Sequence, residues 1–419
     1  MAKADGNLAV SDPKVNKIIQ KEELRQTEGL EMIASENYVS RGVLEAAGSV
    51  LTNKYSEGYP GHRYYGGCEI IDEAESLAIE RLKKLFGCKF ANVQPHSGSQ
   101  ANMAAYFACI NPGDKIMGQS LESGGHLTHG AKVSFSGQLY QSFQYGLNSK
   151  TGILDYDEIQ KMAKNVKPKA IMCGYSAYPR KLDFKRLKKI ADSCGAYLIA
   201  DIAHIAGLVA KGFHSSPVGV ADIVTSTTHK TLRGPRAGIV MTDDAELAKK
   251  IDKAIFPTLQ GGPLEHIIAA KAVAFGEALR PSFKSYIKDV LENMQTLSNT
   301  LQSFDFDLVT GGTDNHLILV DLRARDFSGL EFEAALHEAG ISINRNAIPN
   351  DPRPPKVTSG IRVGTAAITT RGLGKKEMQR IAEMFNKVAN NLSNKKVLHE
   401  IREEVKSMTQ GFPVPGINI

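Results

Sequence analysis

Lys230 is the residue of this sequence whose surroundings best suit covalent chemistry. It follows the mostly apolar, β-branched stretch 221–228 and opens a polar turn that contains glycine. Partial burial and the positive charges of His229, Arg233 and Arg236 would lower the pKa of its amine, as a nucleophilic lysine requires. The position therefore predicts a Schiff-base lysine, whereas most lysines are solvated surface charges.

Asp201 ends a second apolar stretch, 196–200, and His204 follows three residues later. Open α/β sheets bind ligands at the carboxyl ends of their strands. If Lys230 carries pyridoxal phosphate, Asp201 would pair with the pyridinium nitrogen and keep the ring able to accept carbanion charge. The alternative for Asp201 is a helix N-cap without chemistry.

A run of small and polar residues, 92–102, leads directly into the helical stretch 101–110. The hydroxyl groups of Ser97 and Ser99, the backbone amides around Gly98 and the positive end of a helix would form a cup for the cofactor phosphate. A simple capped turn would have a similar sequence. Because no Walker lysine and no G-x-G-x-x-G pattern is present here, a nucleotide is less favoured.

Five long motifs resemble those of the serine hydroxymethyltransferase family. They read LTNKYSEGYPGHRYYGG at 51–67, GGHLTHG at 124–130, TTHKTLRGPR at 227–236, QGGP at 260–263 and TSGIRVG at 358–364. The match spans nearly the whole chain, and motifs of this length in this order are far more specific than one short pattern. The resemblance implies an α/β fold of the fold type I pyridoxal phosphate enzymes, with a mostly parallel, seven-stranded sheet.

The resemblance also implies a role for each residue of the cofactor site. Lys230 would hold the cofactor, Asp201 would contact the ring nitrogen, and His126 would stack on the ring. Ser176 and His204 would hold the phenolic oxygen. The other implied cofactor residues are Ser97, Gly98, Ser99 and His229 at the phosphate, Gly261 and Gly262 from a neighbouring subunit, and Tyr55 and Arg236.

Arg362 is the candidate partner of an amino-acid carboxylate. A guanidinium group is permanently charged and can bind a carboxylate through two parallel hydrogen bonds. Gly360 and Gly364 flank it on a strand-like stretch and would let a ligand approach. The resemblance adds Ser35, Glu57, Tyr64 and Tyr65 to the substrate site. In the family, Tyr55, Glu57, Tyr64 and Tyr65 reach across a dimer, which predicts a homodimer or a dimer of dimers with shared active sites.

The implied reaction converts L-serine and tetrahydrofolate into glycine, 5,10-methylenetetrahydrofolate and water. Glu57 would transfer the proton, since a partly desolvated carboxyl group can have a pKa near neutrality. The implied catalytic residues are Lys230, Glu57, His126, Asp201, Tyr65 and Thr227. The implied folate-binding residues are Leu121, Gly125, His126, Leu127, Asn346 and Lys356, and no metal ligand is expected.

The sequence departs from the family near the folate region. Pro354 and Lys356 stand where most members have Ser-Pro-Phe, Ser123 replaces a common histidine, and Ala366 replaces a common proline. A folate-independent aldolase for threonine-type 3-hydroxy amino acids is therefore an alternative, which Glu57 and the loop 125–127 disfavour. A pyridoxal phosphate homeostasis or RNA-binding protein is another alternative.

Composition limits the other functions. The 419 residues carry 51 basic and 45 acidic side chains, a formal net charge of +6, without a long basic block. Nucleic-acid binding is disfavoured because phosphate-tracking surfaces need clustered Lys and Arg. Five cysteines without C-x-x-C spacing suit a reducing cytosol. Since the chain lacks both an apolar leader and an 18-residue apolar span, we expect a cytoplasmic protein without membrane contact.

Hydrophobic periodicity predicts alternating helices and strands up to residue 254, and hence a largely parallel, doubly covered sheet. Predicted strands cover 90–94, 115–119, 169–174, 197–201, 222–226 and 237–241, and predicted helices cover 74–86, 99–110, 184–194, 245–254 and 264–279. A smaller α+β domain should follow, with helices at 284–303, 329–339 and 375–393 and strands at 306–310 and 315–322. The predicted division is an N-terminal segment 1–73, a large domain 74–281 and a small domain 282–419.

Overall fold

The computed structural model describes residues 8–417, which contain a central seven-stranded sheet. Across this sheet the strands are Phe90–Asn92, Gly238–Thr242, Ile223–Thr227, Tyr197–Asp201, Ala170–Gly174, Lys115–Gln119 and Gln141–Tyr145. Gly238–Thr242 is antiparallel to both of its neighbours, and the remaining pairs are parallel. The expected mostly parallel sheet is confirmed.

The central strands are hydrophobic because helices cover both faces of the sheet. Ala170–Gly174, Ile223–Thr227 and Gly238–Thr242 are buried along their whole length. Continuous apolar or β-branched runs are typical of strands buried on two faces. The helices of this part are Glu69–Phe86, Gly98–Cys109, Phe135–Leu139, Tyr156–Val166, Phe184–Asp192, Ala206–Ala210, Ala245–Lys253 and Glu265–Leu279.

A smaller antiparallel sheet lies in the C-terminal part of the chain. Its strands, in order across the sheet, are Asp307–Leu308, Leu317–Asp321, Gly360–Gly364 and Asn344–Asn346. The surrounding helices are Pro281–Ser303, Gly329–Glu338, Ala366–Thr370, Lys375–Ala389 and Lys395–Thr409. A second hydrophobic core fills the space between this sheet and its helices.

The N-terminal segment contacts the C-terminal part. After the helices Leu8–Ser11 and Pro13–Glu28, the short strand Leu30–Glu31 pairs in parallel with Ile341–Ser342. The helix Arg41–Ala47 and the hairpin formed by Gly58–Tyr59 and His62–Arg63 follow. The three-part division of the chain stays a prediction.

Most predicted elements are present, with ends shifted by a few residues, but several expectations were wrong. The predicted strand 306–310 is reduced to Asp307–Leu308, because Thr310 and Gly311 take positive φ values of 65° and 68°. The helix predicted at 284–303 begins earlier, at Pro281. Proline is well tolerated in a first turn, because the N–H group that it lacks would have no hydrogen-bond acceptor within the helix. The edge strand Gln141–Tyr145 and the helices Tyr156–Val166 and Lys395–Thr409 were not predicted.

Within residues 8–417, no helix is both long enough and apolar enough to cross a membrane.

Candidate active site

A cavity of about 420 Å³ opens where the strands of the large sheet end. Asp201 and Thr227 are the last residues of their strands, and Ser176 follows the end of Ala170–Gly174. The lining includes thirteen of the predicted residues, namely Ser35, Ser97, Gly98, Ser99, His126, Ser176, Asp201, His204, Thr227, His229, Lys230, Arg236 and Arg362. Three further lining residues, Glu36, Tyr175 and Ala203, were not predicted.

Lys230 is buried in this cavity, with 8% of its surface exposed. Burial lowers the pKa of its amine to about 8, with Asp201 acting in the opposite direction and Arg362 and Arg236 adding to the decrease. Of the three neighbours expected to contribute, Arg236 does so. Burial lowers the pKa of His229 to about 3, which leaves its ring neutral, and the Arg233 guanidinium lies on the Tyr286 ring, 4.4 Å from its centre. The low pKa of Lys230 gives a larger neutral, nucleophilic fraction at neutral pH than an ordinary lysine has.

Asp201 is held by hydrogen bonds on both of its carboxylate oxygens. Oδ2 accepts from Nδ2 of Asn102 at 2.8 Å and lies 3.2 Å from Nε2 of His129, while Oδ1 accepts from the Ala203 amide at 2.9 Å. Burial favours a higher pKa, but the contacts with His129 and Asn102 outweigh it and hold the pKa of Asp201 well below its usual range. The following helix, Ala206–Ala210, is capped at Ile205, so Asp201 is not its N-cap.

His126 lies beside Asp201 in a glycine-flanked turn. Its Nδ1 is 2.7 Å from the hydroxyl oxygen of Thr128, and burial lowers its pKa to about 4, so the ring is neutral near pH 7. The potential metal-binding atoms of His126, His129 and Asp201 lie within 4.8 Å of one another. Protein hydrogen bonds already engage these groups, and the absence of a bound metal stays a prediction.

The ring-binding candidate His204 contacts a histidine of the smaller sheet. Nδ1 of His204 lies 3.3 Å from Nε2 of His316, and the two rings stack with their centres 5.5 Å apart. Burial lowers both pKa values, that of His316 to about 3. His204 is therefore a neutral side chain that the C-terminal part of the chain helps to orient.

The phosphate cup predicted around Gly98 lies at the start of a twelve-residue helix. Ser97 caps Gly98–Cys109 by accepting a hydrogen bond from the Gln100 amide at 3.2 Å. Gly98 packs so closely that a Cβ atom there would lie 2.5 Å from Cγ2 of Thr227. Within residues 8–417, the buried Oγ1 of Thr227 and Nδ1 of His229 have no hydrogen-bond partner. These unsatisfied polar atoms and the helix N-terminus fit an anionic cofactor group.

Arg362 lines the cavity from the smaller sheet and has 8% of its surface exposed. Its guanidinium donates to Oδ1 of Asn344 at 2.9 Å, to the Ser176 carbonyl at 2.6 Å and to Oγ of Ser35 at 3.4 Å. Burial lowers the pKa of Arg362 to about 10, although the nearby Glu36 acts to raise it. No carboxylate of the described chain lies within 4.0 Å of it, so its charge is available to a substrate carboxylate.

A second group of predicted residues lies outside the cavity and is called here the tyrosine cluster. It consists of Tyr55, Glu57, Tyr64, Tyr65, Gly261 and Gly262. The Tyr55 hydroxyl donates to Oε1 of Glu57 at 3.2 Å, and the rings of Tyr55 and Tyr65 are 5.1 Å apart. The backbone of Gly262 packs closely on the Tyr55 ring, because a Cβ atom at Gly262 would lie 3.2 Å from Cζ of Tyr55. About half or more of each tyrosine is exposed.

The predicted folate residues also lie outside the cavity, apart from His126. Leu121 and Leu127 are 41% and 47% exposed, and Lys356 is exposed. Gly125 cannot carry a side chain, because a Cβ would lie 2.0 Å from the Gln119 carbonyl oxygen. Asn346 donates to the Ala347 carbonyl at 2.6 Å. The single chain does not bring these residues into one closed pocket.

The supporting residues were harder to find from the sequence. Asn102 and His129 contact Asp201 from positions 99 and 72 residues away, and no local pattern links them. Asn37, also unpredicted, donates to the Lys230 carbonyl at 2.8 Å. His129 lies in the motif 124–130 and Asn102 at the end of the polar run 92–102. Their positions in these motifs were the one sequence feature that could have indicated a role in the site.

Comparison with known proteins agrees with this arrangement. A family model described as serine hydroxymethyltransferase matches residues 8–385. A curated protein from Rickettsia akari (strain Hartford), named serine hydroxymethyltransferase, is 54% identical over 413 residues, which cover 98% of each chain.

Proposed function

The chain belongs to the serine hydroxymethyltransferase family, and we infer that it reversibly transfers the hydroxymethyl carbon of L-serine to tetrahydrofolate, with pyridoxal phosphate as cofactor. The products are glycine, 5,10-methylenetetrahydrofolate and water. One structural observation carries this conclusion: a single cavity contains a buried lysine of lowered pKa, a charged aspartate and a buried arginine. Neither the geometry of residues 8–417 nor the comparisons favour the aldolase alternative, which rests on the sequence departures near the folate region.

The residues of the cavity fit the cofactor. Ser97, Ser99, Thr227 and His229 would hold its phosphate, where unsatisfied polar atoms and a helix N-terminus meet. Asp201 would keep the ring nitrogen protonated, because its low pKa leaves the carboxylate charged. His126 would stack on the ring, and Ser176 and His204 would contact its phenolic oxygen. When bound, pyridoxal phosphate supplies an electron sink for cleavage of the serine Cα–Cβ bond.

Arg362 would orient the substrate. Its fixed contacts with Ser176 and Asn344 hold the guanidinium plane, so that the remaining N–H groups can bind the serine carboxylate, with Ser35 beside them. A charge positioned in this way aligns the scissile bond without reorganisation during the reaction.

The tyrosine cluster would complete the active site of a second copy of the chain. Its three tyrosines are exposed, Glu57 is half-buried, and the whole cluster lies outside the cavity of its own chain, as a contribution to a neighbouring site requires. Glu57 would then transfer a proton to or from the serine hydroxyl, with Tyr65 beside it, and Gly261 and Gly262 would approach the partner's cofactor phosphate. The assembly is a homodimer or a dimer of dimers, and we place it in the cytoplasm.

The folate would contact Leu121, Gly125, Leu127, Asn346 and Lys356. Two exposed leucines offer an apolar surface for the pterin, and an exposed lysine can attract the anionic glutamate tail.

Glu57→Gln tests the assignment of the proton transfer. The amide keeps the size and hydrogen bonding of the side chain but cannot transfer a proton, a loss that is usually equivalent to about 10²–10⁴ in rate. We expect the variant to keep the visible absorbance of the bound cofactor while folate-dependent glycine formation falls by this factor. Turnover within about threefold of the wild type would refute the role of Glu57.

A further inference from the structure

Lys271 is a buried lysine that lies outside the cavity, in the middle of the helix Glu265–Leu279. It is 1% exposed, and its Nζ donates hydrogen bonds to the carbonyl oxygens of Val93, Pro95 and Gly238, the last two at 3.1 and 3.0 Å. All three N–H groups of an ammonium are thereby used on the backbone. Since burying a charge is unfavourable unless it is well paired, these three contacts need a structural reason.

The three carbonyl groups belong to the backbone that leads into the phosphate cup. Val93 and Pro95 lie in the loop between the strand Phe90–Asn92 and Ser97. Gly238 begins the neighbouring strand, donates its amide to the Pro95 carbonyl at 3.0 Å, and packs against Ser97, since a Cβ there would be 2.3 Å from the Ser97 carbonyl oxygen. Lys271 therefore joins the loop to the strand at the start of the cup.

Gln260 binds two further backbone groups of the same loop. Its Oε1 accepts from the His96 amide at 3.1 Å, and its Nε2 donates to the Gln94 carbonyl at 3.0 Å. Together, Gln260 and Lys271 bind the carbonyl groups of residues 93–95 and the amide of residue 96. The loop consequently has few free backbone groups with which to take another conformation.

We propose that Lys271 is a positioning residue for the cofactor phosphate, because it holds the loop 93–97 in the conformation that presents Ser97, Gly98 and Ser99 to the cavity. The proposal rests on the proposed function, which places the phosphate in this cup. Lys271 does not line the cavity and acts only through the loop. Its loss should therefore weaken binding of the phosphate group and leave binding of the pyridine ring unchanged.

Lys271→Met removes the donors while keeping a side chain of similar length. Equilibrium dialysis of the full-length apoprotein against pyridoxal phosphate and against pyridoxal, which lacks the phosphate, measures the two affinities separately. Residues that orient the ligands of a metal site typically affect its affinity by about 10–100-fold, and by analogy we expect a loss in this range for pyridoxal phosphate. Pyridoxal binding should stay within about threefold of the wild type.

Arg371→Met is the matched control. Arg371 is also a buried cation, 5% exposed, that donates to backbone carbonyl groups of residues 8–417, those of Gln26, Thr27, Gly29, Thr409 and Phe412. None of these acceptors lines the cavity. The control should lower the melting temperature yet keep the wild-type ratio of the two affinities.

The proposal would be overturned if Lys271→Met kept the wild-type ratio of pyridoxal phosphate affinity to pyridoxal affinity, whether both affinities were unchanged or both fell equally. If this variant does not fold, Lys271→Gln retains two N–H donors and should show a smaller, still phosphate-selective loss; an unchanged ratio there is equally contradictory. If the wild-type protein itself shows no preference for pyridoxal phosphate over pyridoxal, the proposed function fails instead, and the two failures are thereby distinguished.

Discussion

At the scale of single residues, the reactivity of Lys230 depends on its surroundings more than on its identity. Burial is the main cause of its lowered pKa, and Arg362 and Arg236 add to the decrease. At pH 7 a pKa of about 8 leaves roughly one amine in ten neutral, compared with fewer than about one in a thousand for an ordinary lysine. The surroundings of Lys230 in the cavity therefore increase the fraction of its amine that is neutral and nucleophilic.

The pH dependence of cofactor attachment tests this pKa. Because the neutral amine reacts, the rate at which the apoprotein attaches pyridoxal phosphate should rise with pH and level off above about 8. Stopped-flow absorbance measures this rate, and Lys230→Ala should abolish it. A rate that keeps rising to pH 10 would show that the lysine is unperturbed.

Arg362→Ala tests the binding of the substrate carboxylate. Truncating one partner of a buried charge pair is unfavourable by about 2–5 kcal/mol. At about 1.4 kcal/mol per tenfold change, serine should bind at least thirtyfold more weakly in a calorimetric titration. The exposed Arg323, paired with Asp321, provides a control, since Arg323→Ala should leave serine affinity unchanged. Equal serine affinity in both variants would assign the carboxylate to another group.

At the scale of elements, the phosphate cup depends on close packing between the helix Gly98–Cys109 and the strand Ile223–Thr227. A side chain at Gly98 would displace the Thr227 methyl group, whose neighbouring hydroxyl is one of the unsatisfied atoms of the cavity. The glycine thus allows the helix N-terminus to approach the strand end.

Gly98→Ala should weaken pyridoxal phosphate binding by about tenfold or more, because overpacking moves the backbone of the cup. Gly411→Ala is the control, since a Cβ there meets only the Met408 carbonyl at 3.7 Å, an ordinary contact. Absorbance titrations measure the cofactor dissociation constants of both variants and of the wild type. Wild-type affinity in Gly98→Ala would mean that the cup does not bind the phosphate.

The sequence predicted the elements that carry continuous apolar runs or long motifs. It missed the strand Gln141–Tyr145, whose edge position leaves polar and apolar residues mixed. For the helix Lys395–Thr409 a signal existed, because Leu398, Ile401, Val405 and Met408 recur at helical spacing and are buried. Contacts such as Asn102 with Asp201 could not be predicted, since they depend on how separate strands and helices meet.

At the scale of the whole molecule, the tyrosine cluster does not line the cavity of its own chain. This separation has a simple explanation if two chains exchange them, so that each active site contains Lys230 of one chain and Glu57 of the other. A symmetric dimer would form two such sites.

Subunit complementation tests this exchange. Glu57→Gln and Lys230→Ala chains should each have little activity, but a mixed dimer would contain one intact site and one site with both changes. Random reassociation should restore about a quarter of the wild-type activity, since half of the dimers are mixed and each has one intact site. If mixing restores no activity although mixed dimers form, both residues serve the same chain's site.

Isotope tracing follows the folate-dependent transfer of the serine hydroxymethyl carbon itself. Serine labelled with ¹³C at Cβ is incubated with the holoenzyme, with and without tetrahydrofolate, and the label is followed by NMR. We predict that the label appears in 5,10-methylenetetrahydrofolate, in equal amount to glycine, and only when folate is present. Release of labelled formaldehyde at the same rate without folate would contradict the account and indicate an aldolase.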